Sequence, residues 1–237
     1  MTTKTEDLAG WSPCRLPGNE PMRGERVELV ALDADVHWRD LWDATGGAGG
    51  RAIWTYMPIG PFDGEADFRE GIAWIADRPD WVAFAILERT TGRAFGTASY
   101  MRLDPANGVG EVGCIVYGEG LRRRPGATEA MLLMAQRIFD ELGYRRYEWK
   151  CDTHNLPSRA AAARLGFTYE GTFRQHMVVK RRNRDTAWFS MIDREWPAIR
   201  AGMEAWLSDL DEDGRQRLSL SERIAAERAT HAGRADG

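Results

Sequence analysis

Two segments concentrate the residue types that do chemistry. The first, EVGCIVYGEGLRRRPGATEAMLL (111–133), runs from an apolar strand through a basic, glycine-containing loop into a helix. A helix N-terminus presents unpaired backbone N–H groups and the positive end of the helix dipole, so a loop that opens onto one can hold a diphosphate. Arg122, Arg123 and Arg124 add charge there, Gly126 permits close backbone approach, and Thr128 and Glu129 fit the first helical turn. The competing reading is a solvated basic turn. The loop lacks the Gly-Lys-Ser/Thr ending of a Walker A loop and is not the GxGxxG dinucleotide fingerprint. The second segment, YEWKCDTHNLPSRAAAARLGFTYEGTFRQH (147–176), ends a strand in the polar cluster Asp152 to Asn155 and starts a short helix near Ser158. Asn155 and Ser158 are ligand-facing groups or helix caps. No His/Cys/carboxylate spacing suggests a metal, and there is no GxSxG nucleophile elbow.

The elements that must position these residues can be read along the chain. Residues 1–24 are an extended lead-in rich in Gly, Pro and charge. Val27 to Leu32 is a short strand, and Asp33 to Asp35 caps a helix carrying Val36, Leu41 and Trp42. GGAGG at 46–50 is a breaker, and a second helix covers Glu65 to Ala76. Trp81 to Leu87, Ala94 to Met101 and Glu111 to Tyr117 are three strands joined by short turns, hence an antiparallel meander. The first is apolar throughout, as for a strand buried on both faces. A long helix occupies about 127–142 and stops at Gly143. Arg146 to Cys151 alternates, with Tyr147, Trp149 and Cys151 on one face and Arg146, Glu148 and Lys150 on the other. A short Ala-rich helix, a hairpin over 167–192 and a helix from Glu195 to Leu207 complete a domain of residues 25–207. The charged tail, 208–237, is helical or disordered. The order predicts an α/β (α+β) fold: a mixed central sheet of about seven strands with helices on both faces.

Composition narrows the function. The 237 residues carry a formal charge of −4 with a pI near 5.7, so no global basic field favours nucleic acid or an anionic membrane. Clusters at 122–124 and 180–184 keep an RNA-associated reading open, but no RNA-binding motif accompanies them. No run of ~18 apolar residues exists, so nothing is expected to span a membrane. Three cysteines without CxxC pairing fit reduced thiols in a cytoplasmic protein.

Together the two segments resemble the GNAT acetyltransferase superfamily, and within it the ribosomal-protein-alanine (Rim-type) N-acetyltransferases. The carriers are Glu-Val-Gly (111–113), RRRPGATEA (122–130), Asn155 and Ser158 at N-x-x-S spacing, Leu165-Gly166-Phe167, RNRDTAWFS (182–190) and EWP (195–197). The resemblance spans about residues 24–200 and implies acetyl-CoA as co-substrate. On matched positions it implies a diphosphate held around Arg122, Arg124, Gly126, Ala127 and Thr128. It implies a pantetheine arm paired with Gly113, Ile115 and Val116, splayed from the next parallel strand. Asn155 would bond the pantetheine, and Ser158 would lie near the thiol sulfur. Pro125 departs from the family loop, replacing its first glycine and removing one N–H donor.

The implied reaction is direct transfer of acetyl from acetyl-CoA to a primary amine of a small molecule or a protein N-terminus. Proximity supplies much of the acceleration and a general base ~10²–10⁴-fold more. Glu111 aligns with a family glutamate and is the base candidate, acting through water, or it is an exposed strand-edge carboxylate. A backbone N–H of Ile115 or Val116 is a candidate oxyanion donor. Tyr117 and Tyr169 are thiol-acid candidates or packing residues, and His154 and His176 are lesser base candidates. Trp54, Tyr56, Met57, Phe62 and Trp188 line an acceptor pocket or belong to the core. The alternative function is a CoA-binding regulatory module with little turnover, supported by Pro125. A homodimer is compatible with the sequence.

Overall fold

The computed structural model describes residues 8–209 and 216–235. Its frame is an eight-stranded sheet: β1 (Met22–Arg23), β2 (Val27–Ala31), β3 (Val82–Glu88), β4 (Ala94–Asp104), β5 (Val109–Tyr117), β6 (Arg146–Asp152), β7 (Thr168–Val179) and β8 (Arg182–Ile192). The spatial order is β1-β2-β3-β4-β5-β6-β8-β7. Every neighbouring pair is antiparallel except β5–β6, which is parallel. The helices are α1 (Ala34–Thr45), a single turn α2 (Gly47–Gly50), α3 (Glu65–Ala76), α4 (Pro125–Gln136, continued by a π-helical turn to Glu141), α5 (Leu156–Arg164), α6 (Trp196–Ser208) and α7 (Leu220–Ala235).

Alternation along the strands splits the core in two. On β3, Ala83 and Ala85 face α1 and α3, where Leu41, Phe68, Ile72 and Ile75 pack. Phe84 and Ile86 face the other way, onto a larger cluster with Leu29, Tyr100, Val112, Met134, Ile138, Tyr147 and Ile199. Phe68, Ile72 and Ile75 fall at i, i+4 and i+7, one apolar stripe of α3. Fully burying each such side chain is worth about 1.5–3 kcal/mol. Asp33 caps α1, its carboxylate accepting from the amides of Asp35 and Val36. Val36 itself is exposed, and the buried stripe of α1 is His37, Leu41 and Thr45.

The sheet has one strand more than expected because β1 is two residues long and sits inside the Gly/Pro-rich lead-in. Positions 1–7 of that lead-in lie outside the described residues; from residue 8 on it is tied down by Trp11 Nε1 donating to Ala106 O at 2.8 Å and by Arg137, on the continuation of α4, donating to the carbonyl of Glu20 at 2.6 Å. GGAGG forms the turn α2 because a Cβ at Gly50 would lie 1.9 Å from Thr45 O. Within the charged tail, α7 docks on α6 through Leu220 and Ile224, and Arg228 donates to Gly166 O at 2.8 Å. Tail positions 210–215 and 236–237 lie outside the described residues.

Candidate active site

The parallel pair β5–β6 is in register from Val109↔Arg146 to Val112↔Trp149 and then parts. Beyond that point β5 stays paired to β4 as far as Tyr117, while β6 stays paired to β8 as far as Asp152. The β6-facing edge of β5 is therefore left without a strand from Gly113 onward. A bulge lies at the mouth of this split. Thr97 pairs with Val116 but Ser99 pairs with Gly113, so Cys114 and Ile115 together oppose Ala98. Cys114 takes φ +49° to make the bulge. Met101 Sδ lies across Gly113, 2.4 Å from where a Cβ would be, so a larger residue there would have to displace the Met101 side chain. Val116 points its side chain into the α1/α3 core, so only its backbone lies at the split.

The α4 N-terminus lies on the face that carries Val112 and Trp149. Arg122, Arg123 and Arg124 are exposed, and Arg123 has φ +58°. Pro125 occupies the first turn and lacks an N–H, while the Ala127 amide already donates to Arg124 O at 3.1 Å. Gly126 is buried, with Val27 Cγ1 3.0 Å from its virtual Cβ, so its smallness serves helix–strand packing as well. Thr128 is fully buried, its Oγ1 accepting from Arg164 at 2.9 Å. Glu129 is a strut: its carboxylate accepts the amides of Glu25, Arg26 and Val27 at 2.7–3.0 Å and fixes the start of β2. On the same side of the sheet, Asn155 caps α5, accepting from the Ser158 amide at 3.2 Å. Ser158 Oγ accepts from Trp149 Nε1 at 2.9 Å.

The opposite face of β5, β6 and β8 is polar and ionic. Glu111 is buried, not exposed, and sits on a central strand. Arg102 donates to its Oε1 at 2.7 Å, and Lys150 Nζ lies 2.9 Å from its Oε2. Lys150 also pairs with Glu148 at 2.7 Å and lies 3.7 Å from the centroid of the Trp188 ring. Arg146 continues the chain, donating to Glu148 at 2.7 Å and to Glu170 at 2.8 Å. Accepting a proton at Glu111 would therefore disturb one of two ion pairs. Above this floor a cleft of about 150 Å³ is lined by Arg102, Lys150, His176, Arg184, Thr186 and Trp188, among others. It begins where the split begins, since Lys150 is the first β6 residue past the last parallel pair.

The sequence and the fold both match known proteins. The family model for the acetyltransferase (GNAT) domain matches residues 26–168, more than half of the chain. This chain belongs to the GNAT acetyltransferase family. It is 30% identical over 190 residues to the uncharacterized N-acetyltransferase p20 of Bacillus licheniformis, covering 75% of this chain and 98% of that protein. A GCN5-related N-acetyltransferase from Brucella melitensis has the same fold at 43% identity and TM-score 0.89, over 92% of this chain and 100% of that one. A probable GNAT-family acetyltransferase from Chromobacterium violaceum matches at 41% identity and TM-score 0.76, over 83% of this chain and 98% of that one. The protein is thus an acyltransferase.

The remaining expected site residues of this acetyltransferase divide clearly. Trp54 is a core residue, 1% exposed, its Nε1 donating to Thr45 O at 2.8 Å and its ring edge-on to Phe62 and Phe68. Tyr56 is half-buried and donates to His154 O at 3.0 Å, tying the 51–62 loop to the β6–α5 turn. Trp188 lines the cleft. His176 lines it too, its Nδ1 2.9 Å from Thr186 Oγ1, while His154 pairs with Asp152 on the exposed side. Tyr117 has a buried hydroxyl without a partner among the described residues, and burial pushes it well up so that it stays protonated. Tyr169 is exposed, its hydroxyl on Thr172. Sequence reasoning missed Arg102, Lys150 and Arg184 as site residues. The alternation of Arg146, Glu148 and Lys150 was the available signal, but only the register of β6 against β5 and β8 shows what that face meets.

Proposed function

We propose that the protein transfers acetyl from acetyl-CoA to a primary amine, by direct attack of the amine on the thioester. The observation that carries this reading is the split between β5 and β6. Its unpaired β5 edge, Gly113 to Val116, can form strand-like hydrogen bonds with the amide-bearing pantetheine arm. The diphosphate would lie at the α4 N-terminus, held by Arg122, Arg124 and the backbone near Gly126 and Thr128. Here Pro125 and Ala127 offer no free N–H, so exposed arginine charge carries more of the anchoring. Asn155 and Ser158 flank the arm on the same side. The acceptor approaches from the opposite face through the cleft lined by Trp188, with Tyr56 on the loop tied to the β6–α5 turn.

The chemistry needs a neutral amine, a polarised carbonyl and proximity of the two reactants. A backbone N–H of the bulge at Ile115 or Val116 would serve the developing oxyanion. Burial raises the Cys114 thiol to about 12, so it stays protonated near neutral pH and is a poor nucleophile. That favours transfer without an acetyl-enzyme. Glu111 is better read as organising the cleft floor than as the water-mediated base, because both of its oxygens already face cations. The amine then loses its proton to solvent. A panel of small amines and N-terminal peptides, followed by CoA release, tests the reading. CoA release that depends on an amine supports it, and acetyl-CoA binding without turnover would favour the regulatory alternative.

A further inference from the structure

The ionic face balances itself, with one exception. Arg102, Lys150 and Arg146 interleave with Glu111, Glu148 and Glu170, three cations against three carboxylates. Arg184 also lines the cleft, yet among the described residues it makes no ion pair and no hydrogen bond. Its Nε is buried without a partner. Asp152 and Asp185 lie near it but, among the described residues, neither pairs with it directly, each turning its Oδ1 to other donors. Asp152 Oδ1 accepts from the His154 amide at 2.8 Å, and Asp185 Oδ1 accepts from the Gln175 amide at 2.7 Å and from Asn183 at 2.9 Å. A second orphan lies beside it: Trp188 Nε1 is buried without an acceptor in the same cleft.

Unpaired buried donors and a desolvated cation are costly, and two of them facing one cleft are satisfied together by a bound oxyanion. Burial lowers the Arg184 guanidinium from its usual range, and the attraction of Asp152 and Glu111 offsets this only in part. A guanidinium is the side chain best shaped to take a carboxylate or phosphate. The cleft, at about 150 Å³, has room for one such group but not for a whole cofactor. We propose that the acceptor amine carries a neighbouring oxyanion, a carboxylate or a phosphate, that seats on Arg184 and Trp188 Nε1 in this cleft. The acceptor is then an amino acid, a peptide ending in a nearby carboxylate, or a phosphorylated amine, and a simple alkylamine is a poor substrate. This inference rests on the amine-transfer reading for its substrate, but the anion site can be tested without turnover.

Two measurements separate the two claims. The first compares kcat/KM for leucine against leucinamide and for phosphoethanolamine against ethanolamine. The expected result is at least a tenfold preference for one anionic member, lost in Arg184→Gln and partly kept in Arg184→Lys, with acetyl-CoA affinity unchanged in both. Equal rates within both pairs would overturn the proposal. The second titrates N-acetylleucine and inorganic phosphate into CoA-saturated protein by calorimetry, so that the 122–128 loop is already filled. Binding that weakens at least tenfold in Arg184→Gln supports the anion site even if no amine is acetylated, in which case only the transfer reading fails. No binding of either probe, together with no anion preference, overturns the site. Melting temperature checks that each variant is folded.

Discussion

At the residue scale, the structure recasts Glu111. Its position, opening the strand that bears the split, is legible in sequence; its two cationic partners are not, because Arg102 and Lys150 reach it from neighbouring strands. Glu111→Gln leaves Arg102 and Lys150 with less counter-charge, and breaking a buried pair costs about 3 kcal/mol. The expected outcome is a clear fall in melting temperature and a loss of kcat that stays constant between pH 7 and 9. A deficit that shrinks as pH rises, with stability intact, would restore Glu111 as the base. Cys114 gives a pH test of the half-buried bulge. Its thiol is raised from 9.0 to about 12 by desolvation, so the folded state holds its proton while the unfolded chain loses it. Stability from this group is complete below pH 9 and is lost as pH rises from 9 toward 12. Thermal melts of wild type and Cys114→Ser across that range check it, and the serine variant should lose less stability with rising pH.

At the element scale, most of the architecture was legible. The meander β3–β4–β5 shows as apolar runs separated by turns, and the two-faced reading of β6 holds: Tyr147, Trp149 and Cys151 are in the core and the charged set is on the polar face. What sequence could not give is register. The parting of β5 from β6 after Val112 and the bulge opposite Ala98 depend on cross-strand pairing, which no local periodicity encodes. Composition makes the α4 loop a candidate anion site, yet Gly126 also has a packing role against Val27, so replacing it would confound binding with folding. The exposed arginines are cleaner probes. Arg122→Glu with Arg124→Glu should weaken acetyl-CoA binding at least tenfold, flatten its salt dependence and leave the melting temperature nearly unchanged. Calorimetry at two ionic strengths reads both effects.

At the scale of the molecule, the α4 and α5 ends lie on one face of the sheet and the ionic cleft on the other, and the proposed transfer runs through the split between β5 and β6. Rigidity of the first face depends on α6 and on α7, whose helical form was one of two readings of the charged tail. Gly202 on α6 sits 2.8 Å, at its virtual Cβ, from the Ile224 backbone on α7. Gly202→Ala should push the helices apart and cost about 1–3 kcal/mol, seen as a lower denaturation midpoint. The account as a whole stands on acetyl passing directly from acetyl-CoA to an amine across this split. The measurement that tests it most directly is a single turnover with enzyme in excess over acetyl-CoA, quenched and weighed by mass spectrometry. The account predicts one acetylated amine for each CoA released and protein of unchanged mass at every time point. An acetylated protein that forms and decays at the rate of transfer, or CoA release without acetylated amine, would contradict it.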